Sequence, residues 1–426
     1  MSIKLFYLYR SWNWYSFAPL IGSLEKVSWF SELNIHRLTP TTIPLAVDAF
    51  NSPTIIAYSF STPNLPNIAK EISLQRKKFK KNTLFIAGGS HPSGDPYGTL
   101  KLGFDVVLVG EGEQSFIELL FAIKEGIPID AIDSPGLLWA EEKHDAEPKH
   151  VPPIDLDQYP SYSISEHLYP PIEITRGCPY SCTYCQVPRL HSKMRHRSLS
   201  HVLDIVHAYR DVFRKKRRQP TDIRFITPNA LAFANSHPQK GFEAIEQLLR
   251  GISSLPQTHV FFASFPSEIR PEYLTEEAAH IIQKHATNRE IIIGGQSASD
   301  ELLKTINRGH TADTIEEAVD IALRYHLKPL VDFILGLPPE TPEDQVQTMQ
   351  LIETLIDKGA VPRIHHFIPL AGTPYYTKSP APVASTHRKR IGQLMRAGKA
   401  KGSFEHQQII ANRVVNFIRK TENSGK

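Results

Sequence analysis

Cysteine is scarce in this chain: 426 residues hold three, all between positions 178 and 185. An odd number, crowded into so short a stretch, argues against the paired disulfide framework of a secreted domain. Reduced thiols serving as metal ligands are the natural alternative. Long apolar runs are missing too, and nothing approaches the roughly 20 consecutive apolar residues that cross a bilayer. The first residues, MSIKLFYLYRSW, lack the apolar stretch and cleavage site of a signal peptide and read as a first strand. A cytosolic protein with no membrane partner is expected. A strong charge imbalance is also absent. The net charge of +4 is too mild to announce a nucleic-acid binder. Basic residues do cluster, in Arg76-Lys77-Lys78-Phe79-Lys80-Lys81, in Arg214-Lys215-Lys216-Arg217-Arg218 and after Thr386, and these runs read as solvated helix ends.

What the chain has is an alternation of short apolar runs with helical stretches. IKLFYLY, TIIAYSF, TLFIAGG and DVVLVG are apolar throughout, as strands of a parallel sheet buried on both faces must be. Helices are expected over Asn64 to Lys80 and Glu113 to Lys124. Residues 1–125 therefore form a doubly wound, Rossmann-like α/β domain whose ligand sits at the C-terminal strand ends. Two of those ends carry glycine, at Gly88-Gly89-Ser90-His91-Pro92 and Gly110-Glu111-Gly112-Glu113. Residues 126–168, rich in Pro and Asp, read as a linker with room for a small hairpin. A second alternation follows over residues 169–380, with strands at IEITRG, IRFITP, HVFFASF, EIIIGGQS, LKPLVDFILGL and RIHHFIPL. Six such units make a partial (β/α)6 barrel with its site at the C-terminal rim. Residues 381–426 read as a basic helical tail.

All three cysteines fall directly after the first of those barrel strands, as Cys178-Pro179-Tyr180-Ser181-Cys182-Thr183-Tyr184-Cys185. One loop with this spacing can wrap a metal centre. Three thiolates hold three irons of a [4Fe–4S] cubane and leave the fourth open, whereas electron-transfer clusters use four protein ligands. Zinc is the alternative, and would need a fourth ligand such as His191 or His196.

With these residues in view, the chain resembles the radical S-adenosylmethionine (SAM) superfamily over roughly residues 170 to 380. Gly294-Gly295-Gln296-Ser297 with Asn307-Arg308-Gly309-His310, Asp332-Phe333-Ile334-Leu335-Gly336-Leu337-Pro338, and Phe367 to Pro374 are similar to motifs on the fourth to sixth strands of that family's barrel. The resemblance implies a cluster at Cys178, Cys182 and Cys185 that cleaves SAM reductively to a 5′-deoxyadenosyl radical. It implies SAM contacts from Tyr184, Gln296, Ser297, Arg308, Ile334 and Gly336. The second strand departs from the family pattern, with Thr227-Pro228-Asn229 in place of a glycine-rich acidic motif; Asn229 is the candidate contact there. At the third strand, Ser264, Glu268 and Arg270 are rim candidates, the last two able to pair with SAM or with each other.

The N-terminal half resembles the cobalamin-binding domain found ahead of such barrels in the B12-binding domain/radical SAM domain proteins of archaea and cyanobacteria. Gly88, Gly89, Gly110 and Glu111 are the candidate contacts, since glycine lets backbone approach a flat corrin closely. His91 is not expected to ligate cobalt, because Gly89 stands where the usual motif has aspartate. The implied activity is that of a radical SAM enzyme, with cobalamin available for methyl transfer to a small-molecule substrate. A low-potential donor such as flavodoxin or ferredoxin is the implied partner. Two other functions are weighed against it. A methylthiotransferase would need a second cluster on three further cysteines and usually a terminal RNA-binding β-barrel. A non-catalytic iron–sulfur sensor or scaffold would not need the SAM-facing motifs.

Overall fold

The computed structural model describes residues 3–39, 54–79, 83–128, 131–132, 134–140, 151–191, 193–216, 220–234 and 241–424. Lys80-Lys81 and Arg217-Arg218, the ends of the two basic runs, lie outside the described residues.

The N-terminal half is built from β1 (Ile3–Leu8), α1 (Trp14–Leu24), β2 (Leu33–Leu38), β3 (Thr54–Ser59), α2 (Leu65–Lys78), β4 (Thr83–Gly88), the short α3 (Ser90–Gly94) and α4 (Pro96–Lys101), β5 (Val106–Leu108), α5 (Gly112–Lys124) and β6 (Leu137–Trp139). Its sheet runs β2-β1-β3-β4-β5-β6, parallel except for the antiparallel edge strand β6. Every residue of β3 is buried, and the pleat shows why. Ile55 and Ala57 enter one core with Phe17, Ile21 and Leu119, while Ile56 and Tyr58 enter another with Ile68, Ile72 and Phe104. Successive side chains of a strand point to opposite faces, so an unbroken apolar run is what a sheet covered twice requires. In this strand order the direction of winding reverses between β1 and β3, which opens a crevice at their C-terminal ends.

Two features differ from expectation. Strand β2 (LNIHRL) was not anticipated, since its burial is patchy and its composition mixed. Strand β6 lies inside the stretch read as linker and completes the sheet; three residues are too short a run to register as a strand by periodicity.

The second half contains β7 (Ile172–Glu173), β8 (Thr175–Arg176), α6 (Val187–Leu190), β9 (Arg195–His196), α7 (Leu199–Lys215), β10 (Thr221–Ile226), α8 (Glu243–Ser253), β11 (Thr258–Phe261), α9 (Glu276–His285), β12 (Glu290–Gln296), α10 (Asp300–Thr305), α11 (Ala312–Arg324), β13 (Lys328–Leu335), α12 (Pro342–Lys358), β14 (Val361–His366), α13 (Ser385–Arg396), β15 (Lys401–Gly402) and α14 (Phe404–Ser424). Parallel strands run in the order β7, β10, β11 and then β12, β13, β14, β15. Ile269 bridges the two groups by pairing with Ile293, which gives an open, partial barrel. Helices coat its outside through one apolar stripe each. On α7 the stripe is Val202, Ile205, Val206 and Tyr209, the i, i+3, i+4, i+7 spacing of a single helical face. Local capping is explicit on α12, where Thr341 and Asp344 cap each other and Gly359 closes the helix in the left-handed conformation.

The C-terminal segment is not a separate tail. Strand β15 extends the barrel sheet at β14, and α14 buries Phe404, Ala411 and Val414 while Phe417 packs on a core of the N-terminal domain. No helix among the described residues is long and apolar enough to cross a membrane.

Candidate active site

The cysteine loop leaves β8 through Gly177, whose φ is +85°. A Cβ there would sit 2.4 Å from the Lys193 carbonyl oxygen, so only glycine fits. The loop is held by the Cys185 N–H donating to the Cys182 carbonyl at 3.1 Å and the Thr183 N–H donating to the Ile306 carbonyl at 3.1 Å. Cys182 is buried and the other two are half-buried. All three line one cavity of about 490 Å³ with Tyr180, Tyr184, Glu268, Arg270, Gln296, Arg308 and Ile334.

Two guanidinium groups flank Cys182. Nη1 of Arg308 lies 3.9 Å and Nη1 of Arg270 4.0 Å from its sulfur. Arg270 stacks over the Tyr180 ring at 3.5 Å and pairs with Glu272 at 2.5 Å, so it does not pair with Glu268. Arg308 donates to the Gly294 carbonyl at 2.7 Å and to Nε2 of His310 at 3.1 Å. Burial, with Arg308 and Arg270 beside it, pushes the His310 imidazolium down to about 3, so its neutral ring accepts that bond. Burial pushes the Cys178 thiol up, and the Cys185 thiol to about 12. Such thiols release their protons only when a metal takes the negative charge.

These residues fit an iron–sulfur cluster better than a zinc ion. His191 is engaged with Glu111 at 3.3 Å and His196 with Thr175 at 2.9 Å, leaving neither as a fourth ligand to the thiols. Among the described residues no three Cys, His, Asp or Glu side chains converge on a single-ion site, whereas a cubane carries its ligands on separate irons.

A second cavity, about 240 Å³, opens at the C-terminal ends of β3, β4 and β5. Gly88, Gly89, Ser93, Gly110 and Gly112 line it, with Tyr15 from α1 and Arg176 and His191 from the barrel side. Gly89 has a φ of +97°, and a Cβ on it would meet the Ser59 hydroxyl at 2.8 Å. The conformation and the packing of this turn therefore restrict the position to glycine at the cavity's edge.

The barrel-side wall of this second cavity is a buried ionic knot. Arg176, two residues before Cys178, bonds Glu113 at 2.7 Å and Glu173 at 2.9 and 2.7 Å, and stands 3.5 Å from Glu111. Arg195 also binds Glu111, as does the Ile154 N–H. Burial would raise the Glu111 carboxyl, but bonds from His191 and Arg195 and the nearby Arg176 hold it well below the carboxylate range.

Comparison with known proteins agrees with this geometry. Residues 172–352 match the Radical SAM superfamily and residues 32–120 match the B12 binding domain. Residues 172–352 thus carry a radical SAM domain, preceded by a B12 binding domain. It is 27% identical over 340 residues to the candidate methylthiotransferase MJ0865 of Methanocaldococcus jannaschii, covering 79% of this chain and 71% of that one. It is 30% identical over 187 residues to the tRNA-2-methylthio-N(6)-dimethylallyladenosine synthase of Desulfosudis oleivorans, covering 43% of this chain and 37% of that one. Among solved structures its fold is similar to the radical SAM methyltransferase TsrM of Kitasatospora setae, with cobalamin and a [4Fe-4S] cluster bound, at TM-score 0.64 and 16% identity over 88% of this chain and 74% of that chain. The cobalamin-dependent radical SAM enzyme OxsB matches at TM-score 0.64 and 16% identity, over 93% of this chain and 56% of that chain.

As a radical SAM enzyme the chain uses a [4Fe–4S] cluster and SAM, and the structure sorts the residues expected to serve them. Tyr184, Gln296, Arg308 and Ile334 line the cavity with the cysteines, as does Glu268, whose carboxyl burial raises. Four candidates stand outside the lining. Ser297 is fully buried and serves the turn before α10, accepting from the Ser299 N–H and meeting Thr348 at 3.2 Å. Gly336 donates its N–H to Glu340 at 2.5 Å. Asn229 accepts from the Arg270 N–H at 3.3 Å, and its buried Nδ2 lacks a partner, as does the Ser264 hydroxyl. Glu111 belongs to the ionic knot, so its side chain is not a free cofactor contact. His91 is buried between Phe60 and Tyr376 and bonds Thr62 at 3.1 Å.

Sequence reasoning missed three contributors. Gln407 reaches the cavity from α14, a segment read as a tail. Asp332 and Arg363 line it from β13 and β14; the signal was their place on barrel strands at inward-facing positions.

Proposed function

We propose that this radical SAM enzyme uses cobalamin in its N-terminal domain to methylate an unreactive carbon of a small-molecule substrate. One observation carries the reading. Gln186, the residue after Cys185, donates its side-chain amide to the Ser90 carbonyl at 3.1 Å and to the Ala371 carbonyl at 2.7 Å. The cysteine loop, the glycine turn of the N-terminal sheet and the loop closing the barrel are thereby tied at one point. Cys178, Cys182 and Cys185 would hold the cluster, with Arg270 and Arg308 balancing its charge. Glu268, Gln296 and Arg308 would orient SAM, and Gly88, Gly89 and Gly110 would admit the corrin. When bound, cluster and SAM supply a hydrogen-abstracting 5′-deoxyadenosyl radical and cobalamin a transferable methyl group.

The test uses protein from a cobalamin-fed host, reconstituted without oxygen and given SAM and dithionite. A corrin absorption spectrum with formation of 5′-deoxyadenosine and methionine is expected. A colourless N-terminal domain would overturn the cobalamin assignment, and absence of both products would overturn catalysis. Low-potential electrons would come from a flavodoxin or ferredoxin in the cytoplasm, where thiols stay reduced. The basic run at Arg214 and Lys215 would dock such an acidic donor, so reversing both charges should slow turnover with the donor and not with dithionite; equal slowing with both would refute the docking.

Similarity to MJ0865 favours a second reading, methylthio transfer. Three cysteines in one loop leave no thiol for the second cluster that chemistry needs, so methyl transfer is preferred.

A further inference from the structure

The cysteines, Gln296 and Arg308 line the active-site cavity together with a pair of charges to which no cofactor contact is assigned. Asp332 and Arg363 are register partners on β13 and β14. They sit one inward-facing rung before Ile334 and His365, about 7 Å back along the strands at the usual rise of a strand. Nε of Arg363 is 3.3 Å and Nε2 of His365 3.7 Å from Oδ1 of Asp332. Neither contact is a formed hydrogen bond, and among the described residues the buried Oδ1 has no hydrogen-bond partner. Among the described residues the terminal nitrogens of Arg363 also make no hydrogen bond. This charge pair is half-buried, and its open valences on both members favour a ligand that completes them.

What completes it must bring opposite charges to adjacent points. The terminal nitrogens of Arg363 form a fork that takes a carboxylate in bidentate fashion. The other Asp332 oxygen, Oδ2, which Arg363 and His365 do not face, takes an ammonium. An α-amino-acid group carries both on one carbon. The wall alongside is apolar, made of Ile292, Ile334, Phe367 and Leu370, and suits a hydrocarbon or aromatic side chain. We propose that the Asp332–Arg363 rung binds the substrate by a free α-amino-acid group, so that the substrate is an amino acid or a molecule ending in one. This rests on reading the cavity as the site of radical chemistry. SAM also has an amino-acid end, but its resemblance-assigned place is the open iron at the rim, not mid-strand.

Reconstituted full-length protein, saturated with SAM so that the iron is occupied, is incubated with a mixture of the proteinogenic L-amino acids. Retained molecules are identified by mass spectrometry after rapid filtration. Parallel incubations use the same mixture N-acetylated and the same mixture as carboxamides. Retention of one or a few free amino acids, weakened about tenfold or more by either blocking group, is expected, since each removes one charged contact. Asp332→Asn and Arg363→Gln should each weaken retention comparably, with iron content and thermal melting showing that the variants are folded. No retention from the free mixture, or equal retention of blocked forms, would overturn the proposal, and the blocked ligands give this answer even if both variants misfold. Wild-type formation of 5′-deoxyadenosine without amino-acid retention would sink this inference alone. Retention without SAM cleavage would leave the rung's role standing and sink the catalytic reading.

Discussion

Gln186 donates a hydrogen bond to the Ser90 carbonyl across 96 positions of sequence, 3.1 Å apart. It is one of the points at which the cysteine region meets the N-terminal domain, and its second bond, to Ala371, reaches the loop that closes the barrel. Gln186→Ala leaves both carbonyls without that donor in a buried setting. A loss of about 1–3 kcal/mol is expected, read as a lower midpoint in urea denaturation. Cobalamin retention should fall as well, because the glycine turn loses its support. A variant with unchanged stability and unchanged retention would show the two sites to be independent.

The three cysteines act as a unit. Replacing any one of Cys178, Cys182 and Cys185 by alanine should abolish iron retention and SAM cleavage together. The N-terminal sheet has its own cores, with residues such as Ile55 and Ile56 at 1% exposure, so its circular dichroism should survive. Residual 5′-deoxyadenosine from a two-cysteine variant would contradict the assignment of three thiolates to one cluster.

Much of this arrangement could be read from residue order because its signals are local. A cysteine loop after a strand, glycines at strand ends and unbroken apolar runs each report on a few neighbouring positions. Arg176 could not be read that way, since its partners Glu111 and Glu113 are more than 60 positions distant and belong to another domain. Ser297 misled for the opposite reason: it lies beside Gln296 in the motif, yet β12 ends at Gln296, whose φ is +75°, and Ser297 serves the turn before α10. Gln407 escaped because a helix remote in sequence from the cysteines folds back along β14.

Arg176 is the keystone of the ionic knot and is itself buried. Arg176→Met would strand Glu113 and Glu173 without their shared cation, while Glu111 keeps Arg195 and His191. Breaking a buried pair from one side costs about 3–5 kcal/mol, so a large fall in urea midpoint at neutral pH is expected. The pH dependence carries a sign. Despite burial, Arg176 and its fellow donors hold the Glu111 and Glu173 carboxyls below their ordinary value. Their stabilisation in the wild type is therefore present above the unfolded value of 4.5 and lost as pH falls below it. In the variant the stranded carboxylates gain by protonation, so its deficit should shrink on acidification. A deficit that is the same at every pH would mean that Arg176 contributes by packing alone.

Glu340 gives the opposite slope. Its carboxylate accepts from the Gly336 N–H at 2.5 Å and from Gln345 at 3.2 Å, but Oε1 is buried with no partner. Burial pushes the carboxyl up from 4.5 to about 7. Between those values the folded chain keeps a proton that the unfolded chain has released. Its contribution is therefore complete below about pH 4.5, declines as pH rises through that window, and levels off above about pH 7. The full span is about 3 kcal/mol at 1.36 kcal/mol per unit. Glu340→Gln keeps an acceptor for Gly336 and has no proton to lose. Denaturation midpoints of the variant should therefore lose this downward component between pH 5 and pH 7, and the variant should be the more stable protein at pH 7. If wild type and variant run parallel across that range, Glu340 titrates at an ordinary carboxylate value, and the turn after β13 must open to water.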